Sequence, residues 1–271
     1  MAAVESLDSN EIRAALSGAA RAWLTELSIF DQVGSTNTYL VDLSGTRDIN
    51  GRVCLAERQT AGRGRRDKKW YSPPGAGLWM SIAYTFVTAP TQLSALTLAI
   101  GATLAIEFKA LGVGNISLKW PNDLLVGDRK LGGILLESCS GGMTAVVGIG
   151  INRLLPEDAS RHVEGIQNPI DLRELLPSVP TLESLASRLI ESLMTAVKKF
   201  DRDGFDSFAE DWSNFDAMAG RKIVVQQEGC EESGTAQGIA SDGALMLRTN
   251  QGLHRIVSGS VRVADCEDDV A

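Results

Sequence analysis

Residues 116–152 read ISLKWPNDLLVGDRKLGGILLESCSGGMTAVVGIGIN, and their pattern decides the fold. Apolar runs of a few residues alternate with turn signals, which predicts short strands and tight turns rather than helix. Gly127-Asp128 lies between Leu124-Leu125-Val126 and an apolar-rich run at 130–136, the signature of a β-hairpin. Residues 144–151 predict another buried strand. In Gly148-Ile149-Gly150-Ile151-Asn152, glycine recurs at alternate positions. Glycine weakens a strand unless a ligand or another backbone comes close to it.

Outward from this sheet the period changes. Upstream, Leu93, Leu96, Ile100, Leu104, Phe108 and Leu111 form a 3.6-residue stripe, a helix. Residues 53–57 and 78–86 read as strands, and Ser35 is placed to cap a helix that begins near Thr36. Asp8 with Glu11 resembles a capping box, and Ile12, Leu16, Trp23 and Leu27 predict one helix over 9–27. Downstream, Leu182, Leu185, Leu189, Leu193, Val197 and Phe200 mark a long helix. Phe205, Phe208, Trp212 and Phe215 mark a shorter one after Gly204. Beyond Gly220 the helical patterns stop, and 223–227, 234–240, 244–249 and 253–263 read as strands joined by Gly- and Asp-containing turns. The order predicts an α+β body over 1–219, a small β-barrel over 220–264 and a solvated acidic tail over 265–271.

Composition narrows the function. The chain has 271 residues, 44% of them hydrophobic and 22% charged, as in an ordinary globular enzyme. Cys54, Cys139, Cys230 and Cys266 lie far apart without a CxxC pair, and the histidines are His162 and His254. That spacing excludes a clustered zinc site and suits buried thiols in a reducing compartment. No signal-peptide order precedes Glu5 and Asp8, and the uncharged stretch 70–106 is broken by Pro73, Pro74 and Pro90. Its helical part is too short to span a bilayer, so neither membrane nor secretion is expected and the expected location is cytoplasmic. A net charge of −8 argues against general nucleic-acid binding.

Four segments carry chemistry. In Gln59-Thr60-Ala61-Gly62-Arg63-Gly64-Arg65-Arg66-Asp67-Lys68-Lys69-Trp70, glycine alternates with arginine after a strand. Glycine admits close backbone approach and arginine offers a planar fork to carboxylate or phosphate. An RNA-binding patch or a solvated basic loop would have the same composition. Leu118-Lys119-Trp120-Pro121-Asn122-Asp123 and Asp128-Arg129-Lys130-Leu131-Gly132-Gly133-Ile134-Leu135-Leu136-Glu137 place charges at strand ends. These imply a bound carboxylate, phosphate or Mg²⁺, or else a surface Lys119–Asp123 ion pair. Gly34-Ser35-Thr36-Asn37-Thr38 is either a ligand-binding helix start or an ordinary N-cap, and the 148–152 strand completes the set.

Together these segments resemble the biotin–protein ligase family, in the family's order, strongly over 29–152 and weakly in the C-terminal β region. The resemblance implies a mixed β-sheet with helices, class II synthetase-like, followed by an SH3-like barrel. It implies ATP-dependent activation of biotin to biotinyl-5′-AMP, with Mg²⁺, and transfer to a lysine of a biotin carboxyl carrier protein. By that resemblance Ser35, Thr36, Asn37 and Gln59 contact biotin, and Arg63, Gly64 and Arg65 close over its tail and the phosphate. Lys130 reaches the carboxylate and the attacked phosphate, and Gly133 belongs to the biotin site. Arg65, Lys119, Asn122 and Asn152 lie toward the nucleotide, Asp123 toward the metal, and Lys130 and Arg65 carry the catalysis. Trp70 and neighbouring strand residues supply the apolar wall. Asp67 departs from the family, whose members often have glycine there.

A lipoate–protein ligase is the nearest rival, and the Gly-Arg-Gly-Arg loop and Arg-Lys-Leu-Gly-Gly strand favour biotin. Some members of the family add an N-terminal DNA-binding winged helix. Residues 1–28 read as a single helix, so the form without that domain, binding no DNA, is expected. A homodimer is left open.

Overall fold

The structure, a computed structural model, describes residues 7–162, 168–227 and 229–264. The expected acidic tail and Cys266 lie outside the described residues. Among those described, seven strands form one sheet: β1 (Glu26–Val33), β2 (Arg52–Gln59), β3 (Gly77–Thr85), β4 (Ile116–Lys119), β5 (Asp123–Val126), β6 (Arg129–Cys139) and β7 (Thr144–Asn152). Their order is β1-β2-β3-β7-β6-β5-β4. The β1–β2 pair is parallel and the other pairs are antiparallel. The hairpin at Gly127-Asp128 closes as its sequence requires, with Val126 opposite Arg129.

The helices are α1 (Ser9–Ala15), α2 (Gly18–Trp23), α3 (Thr36–Ser44), α4 (Ala95–Ala110), α5 (Leu172–Leu175), α6 (Leu182–Asp203) and α7 (Ala209–Phe215). The two-residue period of the strands sorts their side chains between two faces. Val53 and Leu55 of β2, Ile82 of β3, and Val147, Ile149 and Ile151 of β7 join α4 and α6 in the main core. The opposite set, Cys54, Ala83 and Val146, packs under α3. Gly148, Gly150 and Asn152 continue this second face, where the candidate site lies.

A second sheet holds β8 (Lys222–Gln227), β9 (Cys230–Ile239), β10 (Leu245–Thr249), β11 (Gly252–Ile256) and β12 (Ser260–Val263). Its order is β11-β10-β9-β8-β12. It is not a free appendage. Ile223, Val225, Leu245 and Leu247 share the main core with the body. Trp120 of the body donates its indole N–H to the Gly243 carbonyl at 3.0 Å.

Three expectations are corrected. The helix expected over 9–27 is two helices, because Leu16 turns extended and Ser17 recaps the chain, its hydroxyl accepting from the Ala20 N–H at 3.2 Å. Leu27 instead lies in β1, a half-buried edge strand whose residues ELSIFDQV show no clean apolar alternation. The single strand expected over 253–263 is two, β11 and β12, which lie on opposite edges of their sheet. The thiols are also less uniform than expected. Cys54, Cys139 and Cys230 are free, but only Cys54 is buried, which pushes its thiol up to about 12, and Cys230 is exposed.

Candidate active site

The sheet face under α3 opens into a cavity of about 390 Å³. Ser35, Thr36, Asn37, Gln59, Arg63, Gly64, Arg65, Lys119, Asn122, Asp123, Lys130 and Gly133 all line it, so segments far apart in sequence meet there. Asn152 does not. It lines a smaller adjoining cavity with Trp70, Tyr71 and Lys130. Its amide donates to the carbonyls of Lys130 and Ile170, each at 3.1 Å, and so pins the segment after 168 against β6.

Around α3 the cavity wall is a network of hydrogen-bonding side chains. Ser35 is indeed the N-cap of α3, its hydroxyl accepting from the Thr38 N–H at 3.4 Å, and it faces the cavity as well. Gln59 accepts through Oε1 from the Thr36 N–H at 2.9 Å and donates through Nε2 to the Ser72 hydroxyl at 3.0 Å. Ser81 donates to Asn37 Oδ1 at 2.5 Å. Asn37 Nδ2 in turn donates to a Glu137 carboxylate oxygen at 3.0 Å and to the Leu135 carbonyl at 3.3 Å. Asn37 is only 2% exposed, so these bonds hold its amide in one orientation.

The alternating glycines of β7 have a steric cause. A Cβ at position 148 would stand 2.3 Å from Asn37 Oδ1, and one at 150 would stand 2.6 Å from the Trp70 ring. The close neighbours are therefore two side chains of the site itself. Trp70 lies across Gly150, edge-on to Trp79 with centroids 6.3 Å apart, and beneath the Lys130 ammonium at 5.2 Å. Gly150→Ala is expected to displace this ring, since overpacking of that size costs about 1–3 kcal/mol. The KM for the ligand of this cavity should rise on the order of tenfold, and the tryptophan fluorescence response to that ligand should shrink. Unchanged values for both would show that Trp70 can move without cost.

The cavity also holds cations. Lys130 Nζ donates to Asp123 Oδ1 at 2.6 Å, with side chains 12% and 21% exposed. Asp123 thus pairs with Lys130, although Lys119 is its direct partner across β4 and β5. Burial, then the neighbouring charges of Lys130 and Lys68, push the Lys119 ammonium below its ordinary range, against the pull of Asp123. Burial and Arg66 likewise lower Arg65, again opposed by Asp123. A bound anion would relieve both. Asn122 serves the frame as well as the cavity, donating its amide to the Ile134 carbonyl at 2.9 Å.

The Gly-Arg segment is a small hairpin. Arg63 bridges Lys69, and the Gly64 N–H reaches the Lys68 carbonyl at 2.7 Å. At its tip Arg66 and Asp67 both have positive φ, 55° and 58°. Asp67 therefore occupies backbone space that favours glycine, though aspartate tolerates it better than most residues. Arg66 anchors the tip on the second sheet through the Gln226 carbonyl at 3.2 Å and the Ser260 hydroxyl at 3.4 Å.

Sequence reasoning gave no site role to three contributors. Glu137 follows Gly133 and Leu135 on the site face of β6, so extending the strand's alternation would have placed it there. Ser72 orients Gln59, and no local pattern marks it. Val224, Gln226, Gly259 and Val261 of the second sheet form a wall of the cavity that only tertiary packing reveals.

Comparison with known proteins agrees with this geometry. Residues 29–152 match the Biotin/lipoate A/B protein ligase family, and residues 219–263 match the Biotin protein ligase C terminal domain. The bifunctional ligase/repressor BirA of Escherichia coli is 32% identical over 270 residues, covering 97% of this chain and 80% of that protein. The biotin–[acetyl-CoA-carboxylase] ligase of Mycobacterium tuberculosis is 31% identical, covering 89% of this chain and 90% of that one. The structure of biotin protein ligase from Aquifex aeolicus in complex with biotin and ATP superimposes with a TM-score of 0.76 at 26% identity, covering 89% of this chain and all of that one. With relatives above 30% identity along most of its length, this chain belongs to the biotin protein ligase family.

Proposed function

We infer that this protein is an ATP-dependent biotin–protein ligase, which activates biotin as biotinyl-5′-AMP and transfers it to a lysine of a biotin carboxyl carrier protein. The observation that carries the reading is the polarity of a single cavity. Neutral hydrogen-bonding groups at Ser35, Thr36, Asn37 and Gln59 line it together with Arg65, Lys119 and Lys130, and along β7 Asn37 packs on Gly148 whereas Lys130 lies over the Trp70 ring on Gly150. Biotin has the same polarity, with a ureido head, an apolar body over Trp70, and a carboxylate. Residues 1–219 form the catalytic body in this reading, and 220–264 the small domain that closes the cavity.

In the first step a biotin carboxylate oxygen attacks the α-phosphorus of ATP and pyrophosphate leaves. Lys130 and Arg65 neutralise charge where carboxylate meets phosphate, with Lys119 and Asn122 toward the nucleotide. Asn152, in the adjoining cavity, lies toward the base. In the second step a carrier lysine nitrogen attacks the acyl carbon and AMP leaves. Positioning and electrostatics supply the rate, and the Gly-Arg hairpin keeps water from the anhydride. Among the described residues no three His, Cys, Asp or Glu side chains cluster to hold a metal. The site suits a Mg²⁺ bound chiefly through phosphate and water, with Asp123 as its carboxylate and charge neutralisation as its contribution.

ATP–pyrophosphate exchange tests the reading. Biotin should support exchange and lipoate should not, and exchange with lipoate alone would reverse the assignment. Among the described residues no helix is long and apolar enough to cross a membrane. Consumption of ATP in the proposed reaction and free thiols at Cys54, Cys139 and Cys230 support a cytoplasmic location as part of this reading. Operator binding is not expected, because the net charge is −8 and α1 and α2 bury Ile12, Leu16 and Ala20 in the body. A gel shift with promoter DNA at physiological salt should show no complex, and specific nanomolar binding would refute this.

A further inference from the structure

We infer that Glu137 is a positioning residue that couples closure of the Gly-Arg hairpin to the orientation of Asn37, so that capture of the biotin head and closing of the lid are one event. The inference rests on the biotin-ligase reading and gives a role to a residue that closes the Asp128–Glu137 segment and had none in that reading.

Glu137 divides its carboxylate between two segments. Oε1 accepts from Arg63 Nη1 of the hairpin at 2.7 Å, and Oε2 accepts from Asn37 Nδ2 of α3 at 3.0 Å. The side chain is 22% exposed and that of Arg63 is 44% exposed. An ion pair this open would contribute little by itself. The placement of Glu137 gives it weight. A mostly buried carboxylate needs its charge answered, and Arg63 answers it only while the hairpin lies closed. With the hairpin open, Glu137 would keep the Asn37 amide alone, and its unpaired charge would draw water or rearrange. Asn37 Oδ1 accepts from Ser81, while the Nδ2 that bonds Glu137 also donates to the Leu135 carbonyl, so loss of the Glu137 acceptor shifts the balance of bonds that orient this amide. The hairpin and the head pocket therefore share one acceptor, which is the physical condition for coupling between them.

Glu137→Gln separates the two functions, because its amide oxygen still accepts from Asn37 while the charge facing Arg63 is gone. Release of biotinyl-AMP from this variant should be about tenfold faster, the loss typical of a charge-assisted bond, with the ATP KM unchanged. Glu137→Ala should additionally raise the biotin KM. In the cycle of Arg63→Ala with Glu137→Gln, the double variant should release adenylate no faster than the faster single variant. A purely structural role for Glu137 would not give that non-additivity. Additive effects, or normal release from folded Glu137→Gln, would overturn the coupling and leave the ligase reading intact. A wild-type protein that forms no biotinyl-AMP would refute both.

Discussion

Lys130→Ala is expected to lower biotinyl-AMP formation by about a hundredfold or more, as loss of one preorganised electrostatic donor does. Lys130 is the most constrained cation of the cavity. Its backbone is clamped between the Asn168 carbonyl and the Ile170 N–H, and its ammonium is fixed by Asp123 at 2.6 Å above the Trp70 ring. A cation held this way needs no reorganisation when charge develops, which is the source of its effect. Removing it also takes from Asp123 the ion-pair partner it has in the empty cavity, so the carboxylate loses its fixed position as well. Lys130→Arg keeps the charge and should recover part of the rate. Pyrophosphate exchange on folded protein decides the matter, and a normal rate in Lys130→Ala would remove Lys130 from the chemistry.

Arg65→Gly is expected to act on retention of the intermediate. Arg65 lines the cavity beside Arg66 and Lys68, and burial and Arg66 together already make its charge costly to hold. A phosphate in the cavity removes that cost, so a large part of the hold on an adenylate should pass through this side chain. Ser35, Thr36, Asn37 and Gln59 remain intact. The variant should still make biotinyl-AMP but release it on the order of ten- to a hundredfold faster, the effect of one charge-assisted bond. Unrelated protein lysines should then be labelled, which mass spectrometry of bystander proteins would detect. Hydrogen exchange over residues 62–69 should slow when biotin or its adenylate binds the wild type, because Arg63, Arg65 and Arg66 repel one another until an anion arrives. Equal exchange in both states, with labelling confined to the carrier, would leave the hairpin without a role as a lid.

Much of this protein was legible in its sequence, because the deciding signals are local. The stripe from Leu93 to Leu111 produced α4, the stripe from Leu182 to Phe200 produced α6, and Gly127-Asp128 produced the hairpin between β5 and β6. The residues that line the cavity also lie largely in short continuous segments, so their types and spacing were visible before any fold was known. What the sequence left undecided are contacts between segments. Lys119 and Asp123 are close in sequence and opposite in register, yet Asp123 takes Lys130. A register shift at Leu124/Leu125, where β5 meets β6, comes between these residues, and a local pattern does not report it. Glu137 meets Asn37 of α3 and Arg63 of the Gly-Arg hairpin only in the folded chain. The second sheet became a wall of the cavity only by burying Ile223, Val225 and Leu247 against the body. Periodicity depends on each residue's near neighbours along the chain, and so the sequence alone determined the strongly periodic elements and the chemical groups, but not the break at Leu16, the edge strand β1 or the division between β11 and β12. Pairing and partnership depend on which surfaces meet once apolar area is buried, and that was decided by the tertiary structure alone.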